Sequence, residues 1–418
     1  MPADRPRRVI PLVAEVAGGT PAATPLRFRG PPPLSLYVHV PWCVRKCPYC
    51  DFNSHALSLD DSGRARNALP NEAEYLAALV ADLESALPVV WGRRVDSVFI
   101  GGGTPSLLSG RAVDELLAAL RSRLPLIAGA EITLEANPGT AEASRFSDYR
   151  AAGVNRLSLG IQSFAGRQLE ALGRIHDERE ARRAIDLARR HFDNFNLDLM
   201  YGLPGQTVDD AVADLEAALA FSPPHVSCYQ LTIEENTAFA ARPPALPDHD
   251  AGAEMQQAIE AGLAEAGYVH YETSAFARPG AQCRHNLNYW HFGDYLGIGA
   301  GGHSKLTLHD RILRQMRWKN PGQYLSRVAG GAPLQDETVV AVEDLPFEFM
   351  LNALRLIDGF APALFEQRTG LPLSQIGKEL HAAESSGLIA RSEQRIAPTD
   401  RGRRFLNRLL QLFLADRP

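Results

Sequence analysis

The hydrophobic and polar positions of the chain alternate between two periods, which predicts short strands separated by helices. The first strand holds Leu36, Tyr37, Val38 and Val40 and is stopped by Pro41. Beyond it the pattern predicts helices at about 72–87, 111–124, 141–151, 178–191 and 207–220, and strands over 97–100, 131–135, 156–161, 195–199 and 226–231. Strands that alternate with helices form parallel sheets, so six such units predict a barrel or part of one.

The rest of the chain divides into further segments. Pro243, Pro244 and Pro247 mark the end of the barrel, and a helix is predicted at about 250–266. After about residue 342 the pattern predicts a helix and then a helix, a short hairpin and a helix, which is typical of a winged-helix-like module. The prediction is therefore a flexible proline-rich tail over 1–34, a barrel over 35–240, a connecting segment packed on the barrel over 241–340, and a C-terminal α+β module over 341–418.

Composition narrows the class of protein. The 418 residues are 45% hydrophobic and 22% charged, ordinary values for a globular chain, with a net charge of −6. An acidic chain does not favour broad nucleic-acid binding, so the six arginines between Arg391 and Arg408 are interpreted as a solvated face, with a DNA-binding wing as the alternative. No apolar run approaches the ~18 residues of a membrane span. Pro11 and Glu15 interrupt the apolar stretch near the start, which disfavours a signal peptide.

Three of the five cysteines, Cys43, Cys47 and Cys50, fall in one loop with the spacing C-x3-C-x2-C. Soft thiolates suit iron-sulfur clusters, and three cysteines leave one iron of a 4Fe-4S cluster without a protein ligand. Arg45 and Lys46 lower the cost of gathering thiolates. The alternatives are a Cys3His zinc site that uses His39 or His55, and free buried cysteines. Clustered thiols predict a reducing, cytoplasmic compartment.

Polar features follow five of the predicted strands at their carboxyl ends. They are the cysteine loop, the glycine run that begins at Gly101, Glu135, Gln162 and Asp198. Reactive groups of parallel barrels collect at this end, so all five are expected to face one mouth. Taken singly, the glycines also fit a tight turn, Glu135 and Asp198 fit caps, and Arg174 fits a surface ion pair.

The cysteine loop resembles that of the radical S-adenosylmethionine (SAM) enzymes. Its flanks, SLYVHVPWC and CDFNSH, resemble the oxygen-independent coproporphyrinogen III oxidase family, and the likeness is greatest to the heme chaperone branch of that family. The resemblance implies a partial (β/α)6 barrel, a 4Fe-4S cluster on the three cysteines, and SAM as cofactor. It also implies a set of SAM-binding residues: Tyr37, Gly102, Gly103, Thr104, Glu135, Gln162, Arg174 and Asp198. Carboxylates suit ribose hydroxyls and amino groups, and a guanidinium suits the SAM carboxylate.

A second informative stretch, QCRHNLNYWHFGDYLGIGAGGH, runs from Gln282 to His303. It holds one cysteine and three histidines together with aromatic residues: Cys283, His285, His291 and His303, with Tyr289, Trp290, Phe292 and Tyr295. Histidine and cysteine can ligate heme iron, and aromatic surfaces suit a porphyrin. Its simpler interpretation is a loop that packs aromatics over the open side of the barrel. HNLNYW resembles the HNxxYW motif of the heme chaperone branch, which implies His285 as the axial heme ligand and Cys283 as the second choice.

Two functions compete within the family that the chain resembles. One is radical decarboxylation of coproporphyrinogen III, and the other is binding heme and transferring it to an acceptor protein. The oxidases have a further cysteine two residues after the triad, where this chain has Phe52, and they have a structured N-terminal extension where this chain has a proline-rich tail. Both differences favour the chaperone. Its expected partners are heme, a heme-accepting apo-protein and an electron donor, with no nucleic acid and at most peripheral membrane association. A zinc-stabilised DNA-binding regulator is the alternative from another class.

Overall fold

The computed structural model describes residues 26–57, 71–140 and 143–414. Its strands are β1 Leu34–Val40, β2 Trp42–Cys43, β3 His55–Ala56, β4 Val95–Gly102, β5 Leu126–Ala136, β6 Arg156–Gln162, β7 Phe195–Tyr201, β8 His225–Gln230, β9 Val269–Glu272, β10 Ala275–Ala277, β11 Asp294–Ile298, β12 His303–Thr307, β13 Ile312–Arg317, β14 Leu334–Val339, β15 Ile389–Arg391 and β16 Ile396–Pro398. Twelve of them form one sheet in the order β14-β13-β12-β11-β1-β4-β5-β6-β7-β8-β10-β9.

The helices lie mostly between these strands. They are α1 Glu72–Val90, α2 Gly110–Arg123, α3 Ala143–Ala152, α4 Gly166–Ala171, α5 Glu178–His191, α6 Val208–Leu219, α7 Ala238–Ala241, α8 His249–Glu265, α9 Arg284–Trp290, α10 Pro321–Ala329, α11 Leu345–Ala353, α12 Pro362–Thr369, α13 Gly377–Ser385, α14 Asp400–Arg404 and α15 Leu406–Gln411. Asp177 and Thr207 form capping boxes at the starts of α5 and α6. Such caps satisfy backbone N–H groups that the first helical turn leaves without partners.

The six predicted strand–helix units are confirmed. Strands β1, β4, β5, β6, β7 and β8 are parallel and lie side by side in chain order. Each contributes a residue with no exposed surface to the core: Val38, Ile100, Leu134, Leu159, Leu197 and Val226. Because apolar side chains are buried on these strands, the helices must cover the sheet, and the α/β class follows.

The connecting segment joins the sheet at both edges. Strands β9 and β10 extend it beyond β8, whereas β11 pairs in parallel with β1 and leads into β12, β13 and β14. The β11 edge contains a buried ion pair, in which Asp294 lies 3.0 Å from Lys305 and 2.8 Å from Arg93. Added strands pair backbone groups that an edge would otherwise leave open.

The C-terminal module packs around a hydrophobic cluster separate from that of the sheet, which also includes Phe292 and Ile312 of the connecting segment. Phe349 contacts Phe360 and Phe365 edge-on, and β15 and β16 form the hairpin between α13 and α14. Leu26 is buried in the same core, so residues from 26 onward of the predicted tail pack on this module, while residues 1–25 lie outside the described ranges.

The arginines of the module lie beside carboxylates of the module itself. Arg391 is 3.7 Å from Glu384, Arg395 is 3.1 Å from Asp358, and Arg403 is 2.7 Å from Asp400. Partly exposed ion pairs of this kind are typical of a solvated face. Within the described ranges no helix is both long enough and apolar enough to span a membrane.

Candidate functional site

A cavity of about 470 Å³ lies at the carboxyl ends of the parallel strands. Its lining includes the three clustered cysteines and most of the predicted SAM residues: Cys43, Cys47, Cys50, Gly102, Gly103, Thr104, Glu135, Gln162, Arg174 and Asp198. The expectation that these features face one mouth therefore agrees with the geometry. Tyr37 does not line this cavity. Its hydroxyl hydrogen-bonds to Nδ1 of His39 at 2.8 Å, and its ring packs against Phe99 inside the barrel.

The cysteine loop is held between β2 and β3, which pair in parallel. Cys43, Cys47 and Cys50 are half-buried and unbridged. Burial raises the pKa of Cys43 and of Cys50, while Lys46 partly offsets the shift at Cys50. Three soft donors on one loop, open to one cavity, fit a cluster with a free iron position.

The geometry gives little support to the zinc alternative. Both ring nitrogens of His39 are engaged, one with the Tyr37 hydroxyl and the other with the Asn53 carbonyl at 2.9 Å. In the described ranges, ligand atoms of three residues come within 4.8 Å of one another only at Glu131, Cys283 and His285, which are not the clustered cysteines. A zinc ion needs ligands about 2.0–2.3 Å from one centre, and the sulfurs of Cys43, Cys47 and Cys50 are not gathered that closely in this structure.

The glycine run approaches the backbone of the cysteine loop. The Gly103 N–H donates to the Val40 carbonyl and the Thr104 N–H to the Trp42 carbonyl, both at 2.7 Å. A Cβ atom at Gly103 would lie 2.5 Å from the Trp42 carbonyl oxygen, closer than any side chain permits. Gly102 has φ of +116°, a conformation that favours glycine. The run therefore joins the wall of this cavity to the cysteine loop.

Two half-buried carboxyl groups, Glu135 and Asp198, face the cavity from β5 and β7. Burial, with a smaller contribution from nearby Asp198, raises the pKa of Glu135 to about 8, although the Gly102 N–H donates to it at 3.1 Å. Burial also raises the pKa of Asp198, which accepts hydrogen bonds from Ser158 at 3.0 Å and Asn196 at 2.8 Å. Without a ligand, ionisation of both carboxyl groups at once is unfavourable. A ligand that offers cationic or hydrogen-bond donor groups would therefore be stabilised here.

Arg174 reaches the cysteine loop from the turn after α4. Its Nη1 lies 3.7 Å from the Cys47 sulfur, and Nη2 donates to the Asn137 side chain at 2.5 Å and to the Gly160 carbonyl at 2.8 Å. Its Nε is buried and has no hydrogen-bond partner in the described part of the chain. The surface ion pair considered for Arg174 is therefore wrong. A buried guanidinium beside a thiol suits an anionic ligand.

Gln162 adds a backbone feature at the end of β6. Its φ is +69°, and the β6–β7 register shifts between Gly160 and Gln162. A non-glycine residue in this conformation is strained by about 1–3 kcal/mol, and such strain concentrates at ligand sites. The bulge directs Gln162 to the cavity, where the sequence predicted it.

The helix α9, which contains HNLNYW, lies at the opposite end of the barrel. The Nδ1 of His285 is 3.1 Å from Oε1 of Glu131, and its ring stacks on Phe99 with centroids 4.2 Å apart. The Cys283 sulfur lies 3.2 Å from Nδ1 of His285. His285 is 4% exposed and Cys283 is 0% exposed. The assignment of His285, or secondly Cys283, as heme ligand stays a prediction. In this arrangement both side chains are buried and in contact with each other, so ligation of heme by either would require α9 to move.

Glu131 was missed in the sequence and explains how α9 is held. Burial opposes its ionisation, but hydrogen bonds from His285 and the charge of Arg156 lower the pKa of Glu131 to about 2. Its carboxylate also accepts the backbone N–H groups of Arg284 at 3.0 Å and His285 at 3.2 Å, the first turn of α9. Glu131 begins the strand predicted over 131–135, so only its position at the amino end of that predicted strand could have suggested this role.

Comparison with known proteins gives the family. The Radical SAM superfamily profile matches residues 37–218, and the HemN C-terminal domain profile matches residues 340–405. The chain is 50% identical to the heme chaperone HemW of Escherichia coli and 47% identical to that of Haemophilus influenzae, over 92% of this chain and 99% of each relative. The structure of the radical SAM enzyme coproporphyrinogen III oxidase (HemN) from Escherichia coli is similar with a TM-score of 0.76 at 25% identity, covering 92% of this chain and 90% of that chain. The resemblance inferred from the motifs is confirmed: the chain belongs to the HemW family of heme chaperones, within the radical SAM superfamily.

Proposed function

We propose that this protein binds heme and transfers it to an acceptor protein, and that its carboxyl-end cavity holds a 4Fe-4S cluster and SAM. The observation that carries the proposal is the single cavity lined by Cys43, Cys47 and Cys50 together with Gly103 and Arg174. Soft donors for a cluster and a buried cation for a carboxylate lie next to each other there, as a ligand that bridges the two would require.

The residues of the cavity have separate roles. Cys43, Cys47 and Cys50 hold the cluster, which supplies an electron and one iron position without a protein ligand. Arg174 faces the loop and neutralises the carboxylate of SAM, and the backbone at Gly102 and Gly103 permits close approach of its methionine end. Thr104 and Gln162 contribute polar groups from the same wall. Tyr37 does not line the cavity; its hydroxyl hydrogen-bonds to His39, whose ring lies next to Gly102, so it positions the cavity wall indirectly.

Glu135 and Asp198 bind the donor groups of SAM. Both are half-buried at the cavity wall, and a ligand hydroxyl or amino group would replace the hydrogen bonds that water gives them in the free protein. Because the pKa of Glu135 is about 8, this group is mostly protonated at neutral pH without ligand, and binding of a cation beside it would release a proton.

Decarboxylation of coproporphyrinogen III is the second candidate, since HemN shares the fold. Phe52, which stands where the oxidases carry a further cysteine, lines the cavity and is 60% exposed. Anaerobic protein supplied with coproporphyrinogen III, SAM and reductant is expected to form no protoporphyrinogen IX, while an oxidase assayed in parallel does. Formation of several molecules of protoporphyrinogen IX per chain would contradict the chaperone function. The same assay measures whether SAM is cleaved.

Metal analysis separates the proposal from the zinc-stabilised regulator. Reconstituted protein is expected to contain iron and acid-labile sulfide in equal amounts, about four of each per chain. Cys47→Ala is expected to lose both, whereas Cys228→Ala, a change in a buried cysteine of β8, keeps them. Zinc without sulfide would contradict the cluster. We further propose a cytoplasmic location, an electron donor for the cluster, no nucleic-acid partner, and peripheral membrane association at most.

A further inference from the structure

A second cavity, of about 810 Å³, lies between the barrel and the C-terminal module. We call it the α9–α12 cleft. One face of α9 lines it with residues at helical spacing, Arg284, Leu287, Asn288 and His291. The opposite wall comes from the module, through Phe360, Ala363, Leu364, Gln367 and Arg368 of the α12 region and through Gln394 and Arg395 of the β15–β16 turn. Its volume lies within the ~300–1,000 Å³ of small-molecule sites.

The cleft lies at the amino ends of the strands, opposite the SAM cavity. Asp96 and Ser97, at the start of β4, and Ile127, at the start of β5, form its floor, whereas Gly102 and Glu135 at the other ends of these strands line the SAM cavity. With a rise of ~3.3 Å per residue, the strands separate the two sites by about 20 Å.

Cationic groups converge on this cleft from three elements. Arg284 comes from α9, Arg368 from α12 and Arg395 from the hairpin turn, against one lining carboxylate, Asp96. Arg395 lies 3.1 Å from Asp358, and both side chains are exposed. Neither Arg284 nor Arg368 forms an ion pair with any carboxylate in the described ranges; they donate to the backbone carbonyls of Gly129 and His291. In a chain of net charge −6, two such guanidiniums on opposite walls suit a ligand with carboxylates.

The cleft also offers a ligand for iron. His291 is half-buried on its wall, directly after α9. Burial lowers the pKa of His291, the nearby Arg368 charge lowers it further, and a backbone hydrogen bond with Leu287 opposes these effects. The imidazole is therefore neutral at physiological pH, the form that binds iron. Leu287 and Leu364, which are half-buried on opposite walls, supply apolar surface for a flat macrocycle.

We infer that the α9–α12 cleft is the heme site, with His291 as the iron ligand and Arg284 and Arg368 as the ligands of the two propionates. This inference rests on the proposed function and names the site of its cargo. His285 and Glu131 then act as positioning residues, because they hold α9 and with it the wall that carries His291. Heme bound here lies too far from the SAM cavity for direct chemistry, which fits a chaperone.

The test is an absorbance titration of the reconstituted full chain with three porphyrins. Heme tests all three residues, metal-free protoporphyrin IX lacks the iron, and the iron protoporphyrin dimethyl ester lacks free carboxylates. His291→Ala is expected to shift the Soret band and to weaken the binding of heme and of the ester at least tenfold, while the affinity for protoporphyrin IX stays unchanged. The double variant Arg284→Gln/Arg368→Gln is expected to bind heme and protoporphyrin IX more weakly, while its affinity for the ester stays unchanged.

The controls separate failure of this inference from failure of the proposed function. His309→Ala changes a histidine whose side chain is 87% exposed and should behave as wild type. Iron content and SAM binding, measured on each variant, show that it is folded. If wild type binds heme but His291→Ala and the two arginine replacements leave its affinity and Soret band unchanged, the cleft is not the site. If wild type binds no porphyrin, the proposed function itself fails.

Discussion

Nη1 of Arg174 lies 3.7 Å from the sulfur of Cys47, although the two residues are far apart in sequence. This contact joins the cluster loop, which follows β1, to the turn after α4. Asn137 fixes the guanidinium by accepting from Nη2 at 2.5 Å, and Asn137 itself donates to Thr104 at 3.0 Å. The charge of Arg174 is therefore held at the boundary between the cysteines and the rest of the cavity.

Replacing Arg174 separates SAM binding from cluster assembly. Arg174→Gln removes the buried cation and is expected to weaken SAM at least ~tenfold, because a hydrogen bond to a charged group contributes about 1.5–3 kcal/mol. Iron and sulfide content should remain near wild type, since the three cysteines are intact. Equilibrium dialysis with labelled SAM measures the affinity. Arg179→Gln, whose side chain is 93% exposed, is the matched control. An unchanged SAM affinity in Arg174→Gln would remove the assigned role.

Gly103 tests the contact between the SAM wall and the cluster loop. In Gly103→Ala the new methyl group would meet the Trp42 carbonyl at 2.5 Å, so the backbone of one segment must move. We expect SAM affinity to fall at least ~tenfold, or about 1.4 kcal/mol. Gly166→Ala, at the start of α4, adds a methyl group with nothing within 4 Å and should leave binding unchanged. Equal SAM affinities of the two variants would show that SAM binding does not need the close approach of Gly103 to Trp42.

Periodicity was sufficient for the six parallel strands and for the cavity at their carboxyl ends, but the six further strands of the sheet, β9 to β14, were not predicted. Strands β4 and β7 differ from the prediction only at their ends. A short apolar segment between helices is recognisable as a strand of a covered parallel sheet, although its exact ends are not. The place of α9 could not be predicted. Its seven residues carry no apolar stripe, and the Glu131 carboxylate that caps it is 153 positions away from Arg284. Such a long-range polar contact has no local signal, so the pairing of His285 with Glu131 could not be predicted.

Glu131 gives a prediction about stability and pH. Glu131→Gln is expected to lower the free energy of unfolding by about 1–3 kcal/mol, because a buried carboxylate with several donors is replaced by a neutral group. The pKa of Glu131 is lowered from 4.5 to about 2 in the folded protein, so its contribution is complete above about pH 4.5 and is lost as pH falls toward 2.

Urea denaturation of wild type and variant between pH 3 and 7 measures this difference. The two stability curves should converge as the pH falls. Glu84→Gln is the control, since Glu84 pairs with Arg123 on the surface and is 51% exposed; its effect should stay within about 0.5 kcal/mol. A Glu131→Gln effect that is independent of pH would show that the charge of Glu131 is not what holds α9.

The most direct test of the account is an absorbance titration of the anaerobically reconstituted protein with heme, repeated at saturating SAM. We predict saturation at one heme per chain, with the same stoichiometry and affinity whether SAM is present or absent, because the two sites lie at opposite ends of the strands. Absence of saturable heme binding would contradict the chaperone function. Displacement of heme by SAM would place both ligands in one cavity and contradict the separation of cargo and cofactor.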